Sequence, residues 1–449
     1  MLSLLQNAAQ RAENYFEEIK ARSVRPGEGA IQALEKFDLN LPEEGMEAEK
    51  VIELLDEVGS PATVASAGSR YFGFVIGGSL PAALAANWLA SAWDQNGVLQ
   101  VSSPVIAALE EISERWLVEL LELQPGTAVG FVTGATMANF TGLAAARNSL
   151  LTRAGWDVEA NGLFGAPELK VVVGEEYHAS MRKALGMVGL GRDRVIKVPV
   201  DGQGRMRADK LPEMDEMTIL CLQAGNVNTG SFDPAAEITP QAHEAGAWVH
   251  VDGAFGLWAR ASEKYAHLAA GLELADSIST DAHKWLNVPY DSGLVFVRDR
   301  ESIARAMTTS AAYLIESGRR EGYFYTPEMS RRGRGIEIWA ALLSLGSDGL
   351  AELVARCCRL AKQFADGLEE AGYEVLNDVV LNQVMVSFGD AEKTNRVIEA
   401  IQKEGTMWAG GTEWQGKTAM RISVSSWATT GNDVDKSLAA IRRVAEELD

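Results

Sequence analysis

Over the first hundred or so residues, apolar positions recur at three- and four-residue spacing. Leu5, Ala8, Ala12 and Tyr15 share one face of an opening helix, and 51–58 and 82–93 read as two more. Strand signals are few, so residues 1–110 are expected to form a helical segment that wraps or pairs rather than a domain of its own. The pattern changes near residue 128. Short, nearly continuous apolar runs occupy 129–132, 169–173, 195–198, 218–223, 248–251, 277–280 and 293–297, with helix-like stretches between them. Unbroken apolar strands suit a sheet covered on both faces, and strand–helix alternation suits parallel crossovers. The spacing predicts an α/β domain over 111–335 built on a seven-stranded, mostly parallel sheet. Residues 301–334 are irregular and rich in arginine. A long helical pattern then runs from Gly335 to about Gly372. Strand candidates at 373–376, 383–388 and 420–424, with helices at 394–403 and at the end of the chain, predict a small α+β domain over 336–449.

Composition narrows the partners. The formal net charge is −21, from 62 acidic and 41 basic residues. An acidic surface repels nucleic-acid backbones and anionic lipid, so neither is expected as a partner. The opening residues lack a basic segment followed by a long apolar run, and the apolar stretch at 80–93 is too short for a bilayer. The three cysteines, Cys221, Cys357 and Cys358, cannot pair fully. With five scattered histidines they offer no metal-ligand spacing, so no metal site is expected. These features together fit a cytoplasmic enzyme.

In a parallel sheet, ligands bind beyond the carboxyl ends of the strands, so the residues just past each run hold the candidate chemistry. Four such places stand out. The first is Ser279-Thr280-Asp281-Ala282-His283-Lys284-Trp285. A lysine among aromatic and apolar neighbours loses ammonium solvation and becomes an amine nucleophile. Taken alone, an exposed loop lysine is the plainer reading. The second is His250-Val251-Asp252-Gly253-Ala254, where Asp252 closes a strand. A carboxylate there can keep a heteroaromatic nitrogen protonated, as pyridoxal phosphate requires to act as an electron sink; a helix cap or an ion-pair partner is the ordinary alternative. The third is Val132-Thr133-Gly134-Ala135-Thr136. It is a strand–turn–helix whose free N–H groups and Thr136 hydroxyl suit a phosphate, though such turns are common. The fourth is His178, just past the run at 169–173, where an imidazole can stack on a planar ring.

Together these residues resemble the fold-type-I pyridoxal-phosphate enzymes, and more narrowly the group II decarboxylases, which act on aromatic amino acids, histidine and glutamate. The likeness covers roughly 71–427, anchored by His-Val-Asp-Gly-Ala at 250–254 and His-Lys-Trp at 283–285. By that resemblance Lys284 is the lysine that holds the cofactor as a Schiff base. Asp252 is the partner of the pyridine nitrogen, His178 stacks on the ring, and Ala254 packs against its other face. Ala135, Thr136 and His283 lie at the phosphate. The family usually has Asn-Pro-His-Lys where this chain has Asp-Ala-His-Lys, and an acid near a phosphate would be repelled. Asp281 is therefore expected to point elsewhere or to serve a partner subunit. Tyr313 resembles the loop tyrosine that returns a proton to Cα, a position typically Phe in related aldehyde synthases. Arg421 matches a family arginine able to hold a carboxylate. Tyr71, Phe72 and Phe74 match the region lining the side-chain pocket.

The resemblance implies decarboxylation of an L-amino acid, with an aromatic or large apolar side chain favoured, to the amine and carbon dioxide. An aldehyde synthase, aldolase or aminotransferase reaction on the same cofactor is the alternative. It also implies a homodimer with its active site at the subunit interface.

Overall fold

A computed structural model describes residues 1–309 and 318–448. Along the chain come helices α1 (Leu2–Glu18), α2 (Pro81–Trp93) and α3 (Pro104–Leu120). The strand–helix alternation follows: β1 (Ala128–Val132), α4 (Ala135–Arg153), β2 (Lys170–Gly174), α5 (Ala179–Met187), β3 (Val195–Val198), β4 (Thr218–Gln223), β5 (Trp248–Asp252), β6 (Ser277–Asp281) and β7 (Gly293–Val297). After the helical run α6 (Gly335–Glu370) come β8 (Glu374–Val375), β9 (Gln383–Ser387), α7 (Ala391–Glu404), β10 (Gly410–Trp414), β11 (Lys417–Ser423) and α8 (Gly431–Glu447).

The chain divides into two compact units, but not at residues 110 and 335. One unit comprises 79–359 and 377–383; the other gathers 1–78, 360–376 and 384–449. The expected N-terminal segment is thus split. Its first 78 residues belong with the C-terminal strands, and α2 and α3 belong with the large sheet.

The larger unit holds the seven-stranded sheet, in the order β1-β7-β6-β5-β4-β2-β3. The five central and far strands pair parallel, and β7 runs antiparallel to both β6 and β1. The sheet matches the sequence expectation because the apolar runs of its inner strands are buried on both faces, while the edge strand β3 is partly exposed. Helix α4 crosses β5, β6 and β7. Its buried side is made of small residues, Ala138, Gly142, Ala144, Ala145 and Ala146, which let it lie close to the strands.

The smaller unit carries a four-stranded sheet ordered β10-β11-β9-β8, with β10/β11 and β8/β9 antiparallel. Among the described residues, only α6 is long and apolar enough for a bilayer crossing, with a mean hydropathy of 1.4 over its best stretch. Gly346 interrupts its helical backbone at φ 63°, and Leu350, Leu353, Val354 and Cys357 are buried in the protein.

Candidate active site

The carboxyl ends of β1, β2, β5 and β6 bring the sequence candidates of the larger unit together. Asp252 is the last residue of β5 and is 4% exposed. Its Oδ2 accepts from Asn139 Nδ2 at 3.0 Å and Ser180 Oγ at 3.4 Å; its Oδ1 accepts from the Ala254 N–H at 3.2 Å. All three donors are neutral, and among the described residues no lysine, arginine or histidine pairs with this carboxylate. A buried carboxylate without a cation is costly.

His178 caps α5. Its Nδ1 accepts from the Ser180 N–H at 3.1 Å and lies 2.7 Å from Ser180 Oγ, so Ser180 joins the imidazole to Asp252. With Tyr177 and Gln223, His178 and Asp252 line a recess at the ends of β2, β4 and β5.

Asp281 closes β6 and does not point away, as the sequence suggested. It turns inward and is 2% exposed. Its Oδ1 accepts from the Ala135 N–H at 2.5 Å, and its Oδ2 lies 2.9 Å from Lys284 Nζ. Helix α4 has no side-chain cap of its own, because Gly134 stands at its N-cap; Asp281 supplies one from the neighbouring strand. The anticipated repulsion left out both this free N–H and the lysine three residues on. The Trp258 indole N–H holds the Asp281 carbonyl at 3.0 Å.

Lys284 is mostly buried, with 17% of its side chain exposed. His283 Nδ1 accepts from the Ser292 N–H at 3.2 Å, and its Nε2 lies 3.4 Å from Asp281 Oδ1. Burial lowers the His283 pKa; Asp281 opposes that shift and Lys284 adds to it. Thr136 lies half-buried in the first turn of α4, and Ala254 lies half-buried just past β5. A Cβ on Gly134 would stand 3.0 Å from His283 Cε1 and 3.2 Å from Asp281 Oδ1, so glycine lets the turn close against the lysine segment.

The remaining sequence candidates fall elsewhere. Tyr71, Phe72, Phe74 and Arg421 belong to the smaller unit. Tyr71 is buried and stacks on Trp408, with centroids 5.0 Å apart and planes at 9°. Phe74 stacks on the same indole at 5.4 Å and is 63% exposed. Phe72 does not line a surface: its ring is buried edge-on against Phe364, because apolar area that large is worth more in the core. Arg421 pairs in register with Gly410, and burial lowers its pKa. Tyr313 lies outside the described residues.

Sequence reasoning missed Asn139, Ser180, His250 and Ser277. The signal was present as spacing. Asn139 and Gly142 follow Ala135 at helical intervals, His250 alternates with Asp252 along one strand, and Ser277 and Ser279 alternate with Asp281 along the next.

A mostly buried amine, a helix start with no side-chain cap of its own and a buried acid without a cation beside it fit an aldehyde cofactor with a phosphate and a protonatable ring nitrogen. The ring would supply the positive charge that Asp252 lacks. Among the described residues no group of acidic, histidine or cysteine side chains could hold a metal ion.

Comparison with known proteins agrees. Tryptophan decarboxylase 1 of Oryza sativa subsp. japonica is 24% identical, the match covering 99% of this chain and 94% of the relative. Aspartate 1-decarboxylase of Aliivibrio fischeri is 34% identical over 257 residues, 54% of this chain and 47% of that protein. The crystal structure of Oryza sativa TDC with PLP and tryptamine superposes with a TM-score of 0.90 at 22% identity, covering 99% of this chain and 97% of that one. A family model described as the pyridoxal-dependent decarboxylase conserved domain matches residues 31–388, through every strand of the large sheet. The chain belongs to that family, as a pyridoxal-phosphate-dependent amino-acid decarboxylase.

Proposed function

We propose that this decarboxylase acts on an L-amino acid with an aromatic or large apolar side chain, and that Lys284, Asp252 and His178 carry its cofactor chemistry. The observation behind the site assignment is Asp252, buried among neutral donors with no cation beside it among the described residues. When bound, the cofactor ring supplies an electron sink for the pair left at Cα as carbon dioxide departs. Asp252 holds a proton at the nitrogen it faces, and Asn139 and Ala254 fix the carboxylate from either side. Lys284 supplies the amine that holds the cofactor, kept in place by Asp281. The N–H groups opening α4, with Thr136 and His283, receive the phosphate. His178, tethered through Ser180, would hold the ring by stacking on it. Tyr313 returns the proton to Cα.

The aromatic preference is supported by the resemblance of Tyr71 and Phe74 to the family region lining the side-chain pocket; both rings stack on Trp408. Phe74 and Val75 both take left-handed backbone, at φ 54° and 57°, a strained arrangement that keeps a phenyl ring exposed. A second reading, an acidic side chain, has its own support in the 34% identity to an aspartate decarboxylase. A panel of tryptophan, tyrosine, phenylalanine, aspartate and glutamate, with carbon dioxide and amine measured, separates them. Turnover of aspartate or glutamate alone refutes the aromatic reading. Peroxide with aldehyde refutes simple decarboxylation.

We further propose a cytoplasmic homodimer with its active site at the subunit interface. Trp88, Leu89 and Trp93 lie exposed along α2, a face suited to a second copy, and the three cysteines are free and buried. A fully active monomer by light scattering refutes the dimer.

A further inference from the structure

Behind Asp252 lies a chain of buried polar groups whose hydrogens have only one consistent arrangement. A carboxylate only accepts, so the Asn139 amide presents Nδ2 to Asp252, at 3.0 Å. Its Oδ1 then faces the other way, receiving Ser279 Oγ at 2.5 Å and facing His250 Nε2 at 2.9 Å. A carbonyl oxygen cannot donate, so His250 Nε2 carries the hydrogen. At the far end the Trp248 indole only donates, to Ser277 Oγ at 2.9 Å. Ser277 is thereby left to donate its own hydrogen to His250 Nδ1, at 2.8 Å. Every donor in the series Trp248, Ser277, His250, Asn139 points towards Asp252.

We infer that Asn139, His250 and Ser277 are positioning residues for the cofactor: a one-way hydrogen-bond relay that fixes Asp252 against the ring nitrogen. The inference rests on Asp252 facing that nitrogen, as proposed above. His250 and Asn139 are fully buried, and each donor polarises the next. The packing leaves the imidazole no other seat. A Cβ at Gly142 of α4 would stand 2.7 Å from its Cε1 and 2.8 Å from its Nδ1, so the helix gives up a side chain to admit the ring. A neutral imidazole with a single tautomer keeps the Asn139 amide from turning over. Turned over, that amide would set its oxygen against the carboxylate.

Two measurements on the full-length holoenzyme test this. In protein labelled with ¹⁵N-histidine, the signal lost in His250→Gln should show a protonated Nε2 and a bare Nδ1 throughout the neutral pH range. A protonated Nδ1 overturns the relay. The second measurement is the cofactor dissociation constant together with the visible absorption of the bound cofactor. Glutamine can still donate to Asn139 Oδ1, whereas leucine cannot. His250→Gln should bind within about threefold of the parent and His250→Leu about tenfold more weakly, with a shifted band. Ser277→Ala, a smaller change, should displace the His250 Nδ1 resonance and weaken binding about threefold. It decides the matter if His250→Leu does not fold.

Asp252→Asn separates the two levels of the argument. If it alters affinity and absorption while His250→Leu and Ser277→Ala do not, the relay has no positioning role. If Asp252→Asn alters neither, the assignment of Asp252 falls and takes that role with it, while the histidine spectrum still reports the relay's geometry.

Discussion

Gly142→Ala sets a local gain against a non-local loss. Within a helix the change gains about 1 kcal/mol of propensity. Here the added methyl would stand 2.7 Å from His250 Cε1, 2.8 Å from Nδ1 and 3.4 Å from Ser277 Cβ, against an optimum of about 3.5–4.0 Å between carbons. A flexible side-chain tip would swing aside cheaply, but this ring is buried and bonded at both nitrogens. If the ring stays, overpacking costs about 1–3 kcal/mol. If it moves, each hydrogen bond left broken in the interior costs about 1–3 kcal/mol. Set against the gain, the first case nets about 0–2 kcal/mol and the second, with both bonds broken, about 1–5 kcal/mol, so a net destabilisation of about 1–3 kcal/mol is expected. Urea unfolding followed by tryptophan fluorescence reads it directly, since Trp248 ends the relay. Gly186→Ala on α5 is the control, because a Cβ there meets nothing within 4 Å; it should be neutral or stabilising by up to about 1 kcal/mol. If Gly142→Ala matches that control and leaves the His250 resonances in place, the packing argument is wrong.

Three further outcomes follow from other contacts. Arg331 and Glu110, each with a side chain 1% exposed, form a bidentate pair at 2.6 and 2.8 Å; Arg331→Met should destabilise by about 3–5 kcal/mol and the double change with Glu110→Leu by much less, a difference that a double-mutant cycle in urea measures. Asp281→Asn keeps an acceptor for the Ala135 N–H but removes the carboxylate 2.9 Å from Lys284 Nζ, so the cofactor-free protein should lose about 3 kcal/mol of stability, and an unchanged melting temperature contradicts the pairing. Burial holds the His250 pKa down to about 4, against an ordinary 6.5. The unfolded chain therefore takes up this proton first, and stability is complete above pH 6.5 and falls as pH drops towards 4, by about 3 kcal/mol for this group. His250→Gln should flatten the slope of stability against pH in that window, and an unaltered slope refutes the assignment.

What could be read from the chain alone is what is local in it. The seven strands fall where the apolar runs do, because a strand covered on both faces has no polar side to interrupt it. The antiparallel sense of β7 could not be read, since Gly293–Val297 has the same composition in either direction. Strand β10 was missed: Gly-Gly-Thr-Glu-Trp is neither apolar nor cleanly alternating, and it is a strand because β11 pairs with it. The division into units was also hidden, since three stretches far apart in sequence make up the smaller one. At the site, the lysine and the strand-end acid sit in short motifs and could be found by inspection. The Asn139–His250–Ser277 series could not, because it needs β5 beside β6 and α4 laid across both.

The two buried acids at this sheet edge are satisfied in different ways. Asp252 and Asp281 close neighbouring parallel strands and are almost equally hidden from water. Asp281 is satisfied within the protein, by an ammonium on one oxygen and a helix-start N–H on the other. Asp252 has only an amide, a hydroxyl and a backbone N–H. Since, among the described residues, a cation stands beside one and not beside the other, the two are not interchangeable. Asp281 ties Lys284 to the start of α4, and among the described residues Asp252 is left without a cation, which, on the function proposed above, a protonated pyridine ring would supply. The expected repulsion between Asp281 and a phosphate took no account of the ammonium of Lys284. With Lys284 three residues further on, Asp281 in the cofactor-free protein faces an ammonium rather than standing as a bare carboxylate.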